Sequence, residues 1–197
     1  MLAHKFREKF ETWILPIVNP DGVVAGNYRS NLQGKDMNRH FFSDQDPDAK
    51  GQRCYEVELL REQLKSRFGE QRGQFKMFLD IHAHSTLNSI FIYAPESEKD
   101  SEKAYIQKFP QMLHQFSEFF MYHNCRFSCP RYKRNCARLA MNRDFNLLDT
   151  YTIESSCYGY EIKRKQNAQP GKSYNQDGMI EGSICQFTPE NFLKFGK

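Results

Sequence analysis

The stretch Phe75-Lys76-Met77-Phe78-Leu79-Asp80-Ile81 is an almost unbroken apolar run, and Ile90-Phe91-Ile92-Tyr93-Ala94 is a second one that stops at Pro95. Runs this short, rich in β-branched and aromatic residues and bounded by turn formers, predict interior strands of a sheet. Such a sheet needs helices to cover it. Residues 56–68 supply one, because Val57, Leu60, Leu64 and Phe68 recur at three-to-four-residue spacing with Arg and Glu opposite them. Residues 104–120 have the same period, and Tyr151-Thr152-Ile153 is a further β-prone run that delivers Glu154 into a Ser155-Ser156 loop. Strands alternating with helices predict an α/β layer architecture.

The flanks are less regular. Residues 2–10 read as a helix that leads directly into Trp13-Ile14-Leu15-Pro16-Ile17-Val18, which has the signature of a short buried strand. Asn19-Pro20-Asp21-Gly22 ends it, since Pro fixes φ, Asp bonds its own backbone and Gly accepts positive φ. Residues 28–42 have no period and carry Arg29, Asn38 and Arg39 on what reads as a shaped loop. Residues 163–183, rich in Gly, Asn, Gln and Lys, predict an exposed loop excursion, and Thr188-Pro189-Glu190 starts a last helix. With 197 residues, 39% of them hydrophobic, the chain can enclose one sizeable core, so 1–197 is expected to be one domain.

Charge and composition narrow the partners. A net charge of +4 suits an acidic partner but lacks the dense basic stripe of a nucleic-acid binder, and the aromatics sit in apolar runs, so no nucleic acid is expected. Mean hydropathy is −0.76 and no apolar stretch approaches the roughly 20 residues that span a bilayer, so no membrane partner is expected. The six cysteines, without a charged-then-apolar leader ahead of Trp13, point to free thiols in a reducing compartment. Cys125, Cys129 and Cys136 cluster, but without the paired C-x-x-C knuckles of structural zinc sites.

Three places carry chemistry. Asp80-Ile81-His82-Ala83-His84-Ser85 sets two histidines two residues apart after a strand, so both imidazoles project on one side and either can serve as a metal ligand; a semi-buried histidine pair without metal has the same pattern. Arg29 and the Asn38-Arg39 pair would capture a carboxylate between guanidiniums, or would simply be solvated. Glu154 is a carboxylate at a strand end, either a reacting group or half of a buried ion pair.

Taken in order, Pro16-Ile17-Val18-Asn19-Pro20-Asp21-Gly22-Val23, Gly26-Asn27-Tyr28-Arg29, Gly34-Lys35-Asp36-Met37-Asn38-Arg39, residues 80–85 and Tyr151-Thr152-Ile153-Glu154-Ser155 resemble the successive blocks of the cytosolic carboxypeptidase branch of the zinc metallocarboxypeptidases. That resemblance implies a mixed central β-sheet flanked by helices, zinc as cofactor, and hydrolysis of C-terminal residues. It implies His82 as zinc ligand, preferred over His84, with Glu154 as general base and acid and Arg29 facing the scissile carbonyl. Asn38 and Arg39 would grip the terminal carboxylate. Ala137-Arg138-Leu139 is similar to the branch's Arg-containing block, so Arg138 is the candidate partner of a substrate glutamate side chain, with Arg143 behind it. Glutamate-rich protein tails such as tubulin's would be the partners, in the cytoplasm and at microtubules or cilia. The family's His-x-x-Glu element, a few dozen residues ahead of Asn19, is not found in residues 1–13, and the last helix is short. The expectation is therefore a domain truncated at both ends and inactive alone, the alternative being an inactive fragment or pseudoenzyme that binds acidic tails.

Overall fold

The computed structural model of the chain describes residues 2–69, 74–162 and 184–195. At its centre lies a three-stranded mixed sheet of β1 (Phe78–His84), β2 (Ile90–Tyr93) and β3 (Thr150–Ser156), in the order β1-β3-β2. β3 runs parallel to β1 and antiparallel to β2, so His82, Glu154 and Phe91 stand side by side across three strands. Because side chains alternate along a strand, Asp80, His82, His84, Thr152 and Glu154 share one face. Leu79, Ile81, Tyr151 and Ile153 point to the other.

Helices α1 (Leu2–Lys9), α2 (Pro20–Val24), α3 (Tyr55–Phe68), α4 (Asp100–Phe116), α5 (Ala137–Phe145) and α6 (Pro189–Phe195) surround the sheet with a short hairpin of β4 (Tyr160–Glu161) and β5 (Ile184–Cys185). α4 covers the Tyr151 face: Ile106 and Phe109 pack there and the Tyr151 hydroxyl donates to the Ile106 carbonyl at 3.2 Å. α3 and α5 form a second apolar cluster in which Val57, Leu64, Ala140 and Met141 close over Phe75 and Phe78. α5 stops at Asn146, whose φ of 52° is left-handed, a conformation that Asn tolerates better than most residues. No described helix is long and apolar enough to cross a membrane.

Several expectations change. β3 is the central strand, whereas β1 lies at one edge of the described sheet, which leaves Leu79 41% and Ile81 75% exposed. Residues 13–18 form no strand and Ile14 is 81% exposed, since Pro16 offers no N–H and no described strand pairs with them. Asn19 through Gly22 opens α2 instead of ending a strand: the Asn19 side chain accepts from the Gly22 N–H, as an N-cap does. The helix expected over 104–120 spans 100–116, because Phe119 and Phe120 leave it to run beside β2, where the Ile90 N–H donates to the Phe119 carbonyl. Arg61, on the charged side of α3 in the sequence pattern, is buried against Asp144 at 2.8 Å. The excursion expected at 163–183 lies outside the described residues.

Candidate active site

The site grows from the sheet face that carries His82 and Glu154. The Nε2 of His82 sits 2.8 Å from Asp80 Oδ2, two residues back on the same strand and therefore on the same face. The Asn38 amide donates to the same carboxylate oxygen at 3.2 Å and lies 3.3 Å from the His82 Nε2, so Asp80 is the shared acceptor. An Nε2–H held by a carboxylate leaves the lone pair on Nδ1, which no described hydrogen bond reaches. His84 is different. Its Nδ1 accepts from the Leu87 N–H at 3.0 Å and its Nε2 lies 3.4 Å from the Tyr93 hydroxyl, so both ring nitrogens are engaged.

The loop that brings Arg29 and Asn38 here is braced from several sides. The Asn19 and Asn27 amides donate to the Ser30 carbonyl at 2.9 and 3.1 Å, and a Cβ on buried Gly22 would lie 2.5 Å from that carbonyl. Asp36 caps the short turn Met37–Arg39 by accepting from the Asn38 N–H and pairs with Arg29 at 3.0 Å. Asn38 Oδ1 accepts from the Ala137 N–H at 2.8 Å, the first amide of α5, whose own cap residue Cys136 provides no side-chain bond.

Electrostatics follow from this packing. Glu154 is 7% exposed, and burial chiefly raises its pKa above the ordinary carboxylate value; Asp80 adds to the rise while His82, Lys133 and Arg138 oppose it. For His82 burial works against the charged ring, but the hydrogen bond and charge of Asp80 together with Glu154 outweigh it and raise the pKa, against a smaller lowering by Arg29. Burial, helped by Lys133, lowers that of His84. A buried carboxyl pushed upward next to a carboxylate-bound imidazole is suited to taking and returning a proton.

Of the residues anticipated from the sequence, His82, Glu154 and Asn38 meet on one face, and Arg29 is close enough to His82 to be felt there. Arg39 follows on the same turn, spending one N–H on the Asn38 carbonyl at 2.6 Å. Asn38 has both ends of its amide engaged, so a carboxylate would have to take the Nδ2 donor from Asp80. Arg138 is 5% exposed and donates to the Ala94 carbonyl, the Thr152 hydroxyl and the Cys129 sulfur while stacking on Tyr93. Arg143 bonds Asp144 and the Phe41 carbonyl. Sequence reasoning missed Asp80 as the partner of His82, although their spacing on a strand signals it. It also missed Asp36 as the partner of Arg29, a pairing that only the loop's path creates.

A catalytic zinc takes three protein ligands. Among the described residues no three His, Cys, Asp or Glu side chains converge to hold a metal ion, so these donors do not make a zinc site by themselves.

The zinc carboxypeptidase profile matches residues 2–180. Cytosolic carboxypeptidase 2 of Homo sapiens is 32% identical over 169 residues, which is 84% of this chain and 18% of that protein. Cytosolic carboxypeptidase 6 of Mus musculus is 30% identical over 202 residues, 100% of this chain and 33% of that protein, so the chain spans a minor part of either relative. Among solved structures, a metallo-carboxypeptidase from Pseudomonas aeruginosa superposes with a TM-score of 0.58 at 26% identity, covering 80% of this chain and 39% of that one. One from Burkholderia cenocepacia gives 0.57 at 25% identity, covering 73% and 35%. The mixed sheet, the face it presents and the match across residues 2–180 lead to one conclusion: the chain belongs to the zinc carboxypeptidase family.

Proposed function

We propose that this chain is the proton-transferring and carboxylate-gripping part of a metallocarboxypeptidase that removes C-terminal residues, glutamate foremost, from acidic protein tails such as tubulin's. The observation that carries this reading is the pairing of His82 with Glu154 on adjacent strands, with the Arg29 and Arg39 loop anchored to the same face through Asn38. Glu154, whose pKa burial raises above the ordinary carboxylate value, takes a proton from the attacking water and hands it to the leaving amine. Arg29 offers its guanidinium to the scissile carbonyl, and Arg39, with most of its donors unspent, takes the terminal carboxylate. Zinc, the metal of the family, would activate that water; His82 contributes one donor to it.

The Pseudomonas aeruginosa relative was solved with (2-guanidinoethylmercapto)succinic acid, a compound with two carboxyl groups, which supports an anion-binding site in this family. The names of the relatives support a cytoplasmic setting, and we extend it to microtubules or cilia. Neither nucleic acid nor membrane belongs to this reading.

A second reading, a module that grips acidic tails without cleaving them, is supported by the described residues, among which no three metal-donating side chains converge. One experiment separates the two. Fluorescent peptides ending in glutamate, with the α-carboxylate free or amidated, are titrated with the chain and then incubated with it and zinc. Both readings expect the free acid to bind about tenfold tighter, the equivalent of about 1.4 kcal/mol, and Arg39→Gln to erase that preference. Release of glutamate marks the enzyme, and binding without release marks the module. Equal binding of acid and amide would refute both.

A further inference from the structure

A cleft of about 430 Å³ opens at Arg39 and is lined also by Asp48, Arg131, Tyr132, Arg134 and Asn135. Its charges do not cancel. Arg134 is taken by Asp48 at 2.6 Å, with Asp46 at 3.7 Å, whereas Arg131 is exposed and pairs with no described carboxylate. Arg39 gives one of its five N–H donors to the Asn38 carbonyl and keeps the rest. Two guanidiniums without a carboxylate therefore face a cleft whose one acidic lining residue is already neutralised.

Asn135 points the same way. It is 9% exposed, and its position is fixed by the Phe41 N–H, which donates to its backbone carbonyl at 3.0 Å. Its side-chain amide, whose polar atoms reach solvent, makes no hydrogen bond among the described residues, and the residue lines the cleft. An amide N–H that no protein acceptor takes, on the wall of a cleft between arginines, is a donor open to an oxygen acceptor that enters it. Planar guanidiniums and an amide N–H together match a carboxylate.

We propose that this cleft is a second carboxylate subsite, taking an acidic side chain of the same tail whose terminal carboxylate sits at Arg39. The proposal rests on the carboxypeptidase reading above and moves recognition of acidic side chains from buried Arg138 to Arg131 and Asn135. Arg39 joins the two places, since the edges of its fork can serve both carboxylates.

The test uses two peptides of equal length, both ending in glutamate with a free α-carboxylate, one with glutamates and the other with glutamines at the preceding positions. Affinities are measured by fluorescence anisotropy at low and at physiological salt. The glutamate-rich peptide should bind the chain about tenfold tighter than its partner, a difference of about 1.4 kcal/mol. Arg131→Gln and Asn135→Leu should each bring that ratio close to one, and Lys50→Gln, exposed and outside the cleft, should leave it in place. A ratio that survives Arg131→Gln and Asn135→Leu, or that falls equally with Lys50→Gln, overturns the subsite. Wild-type chain that binds both peptides equally, through the terminal carboxylate alone, overturns the subsite and leaves the carboxypeptidase reading standing. Binding of neither peptide overturns both.

Discussion

Replacing Asn38 with alanine tests how far the site and the fold depend on the same bonds. The substitution removes the acceptor of the Ala137 N–H at 2.8 Å, at a helix start whose own cap residue Cys136 makes no side-chain bond. Losing a cap of this kind costs about 1 kcal/mol. It also removes the donor to Asp80 Oδ2 at 3.2 Å, and a hydrogen bond to a charged group is worth about 1.5 kcal/mol where, as here, both partners are only partly buried. Together the loss is about 2.5 kcal/mol. Asn38→Asp is the informative companion. It keeps an acceptor for the Ala137 N–H and adds negative charge at a helix start, but it sets a second carboxylate beside Asp80. Adding Asp80→Asn to it restores one donor and one acceptor with their places exchanged. Urea unfolding of wild type, Asn38→Asp, Asp80→Asn and the double variant, with the slope checked for constancy, gives the coupling between positions 38 and 80. A loss below about 0.5 kcal/mol in Asn38→Ala, the range of ordinary surface substitutions, would refute the bridging role.

Other consequences follow from the same contacts. Asp80→Asn should lower the His82 pKa in an NMR titration, because the carboxylate that holds the imidazolium is gone. In the wild type that raised pKa is stability present in full below pH 6.5 and lost as pH rises through the folded-state value, so the variant should lose stability on the acid side of that window; parallel pH profiles would contradict it. Glu154 is also raised, so its charged form is disfavoured in the fold: Glu154→Gln should match wild type below pH 4.5 and exceed it in denaturation midpoint as pH climbs, and an unchanged difference across pH would count against burial as the cause. Gly22→Ala should destabilise by about 1–3 kcal/mol, since its Cβ would press on the Ser30 carbonyl and the Asn19 side chain, and a neutral result by urea unfolding would show that the brace yields. Arg61→Ala should cost about 1–3 kcal/mol, because Asp144 loses the buried guanidinium that bonds it and keeps only the half-exposed Arg143 at 2.9 Å, whereas a loss under about 0.5 kcal/mol would mean that Arg143 alone suffices.

The sheet and its helices were legible because apolar period is a local property. Val57, Leu60 and Leu64 sit at helical spacing whatever lies around them, and β2 ends where Pro95 must end it. The edge position of β1 was not legible, since Leu79 and Ile81 read as interior residues and only strand order decides that they are not. Trp13 to Val18 misled for the same reason: an apolar run predicts a strand only if another strand lies within reach. In the site, the placement of His82 beside Glu154 depends on two strands far apart in sequence and on their register, and the motif blocks carried that information where period could not. The partners of the site residues were the illegible part. Nothing local says that Asp36 neutralises Arg29, that Asn38 caps a helix 99 residues away, or that Arg61 is buried.

Those hidden partners decide which groups can meet a ligand cheaply. A donor already bonded to protein must break that bond before it bonds a carboxylate, so its net contribution shrinks by about 1 kcal/mol for each bond exchanged. Asn38 would give up Asp80, and with it part of the hold on His82. Arg138 would give up at least one of three protein acceptors and also leave a position in which it is 5% exposed. Arg39 gives up nothing, because one of its donors is spent on a neighbouring carbonyl and the others are open. Arg29 lies between these cases, tied to an Asp36 that is itself pinned by the Asn38 N–H. On the proposed reading, an anion among these three therefore recruits Arg39 first, Arg29 next and Arg138 last, because the fold commits the Arg39 guanidinium least.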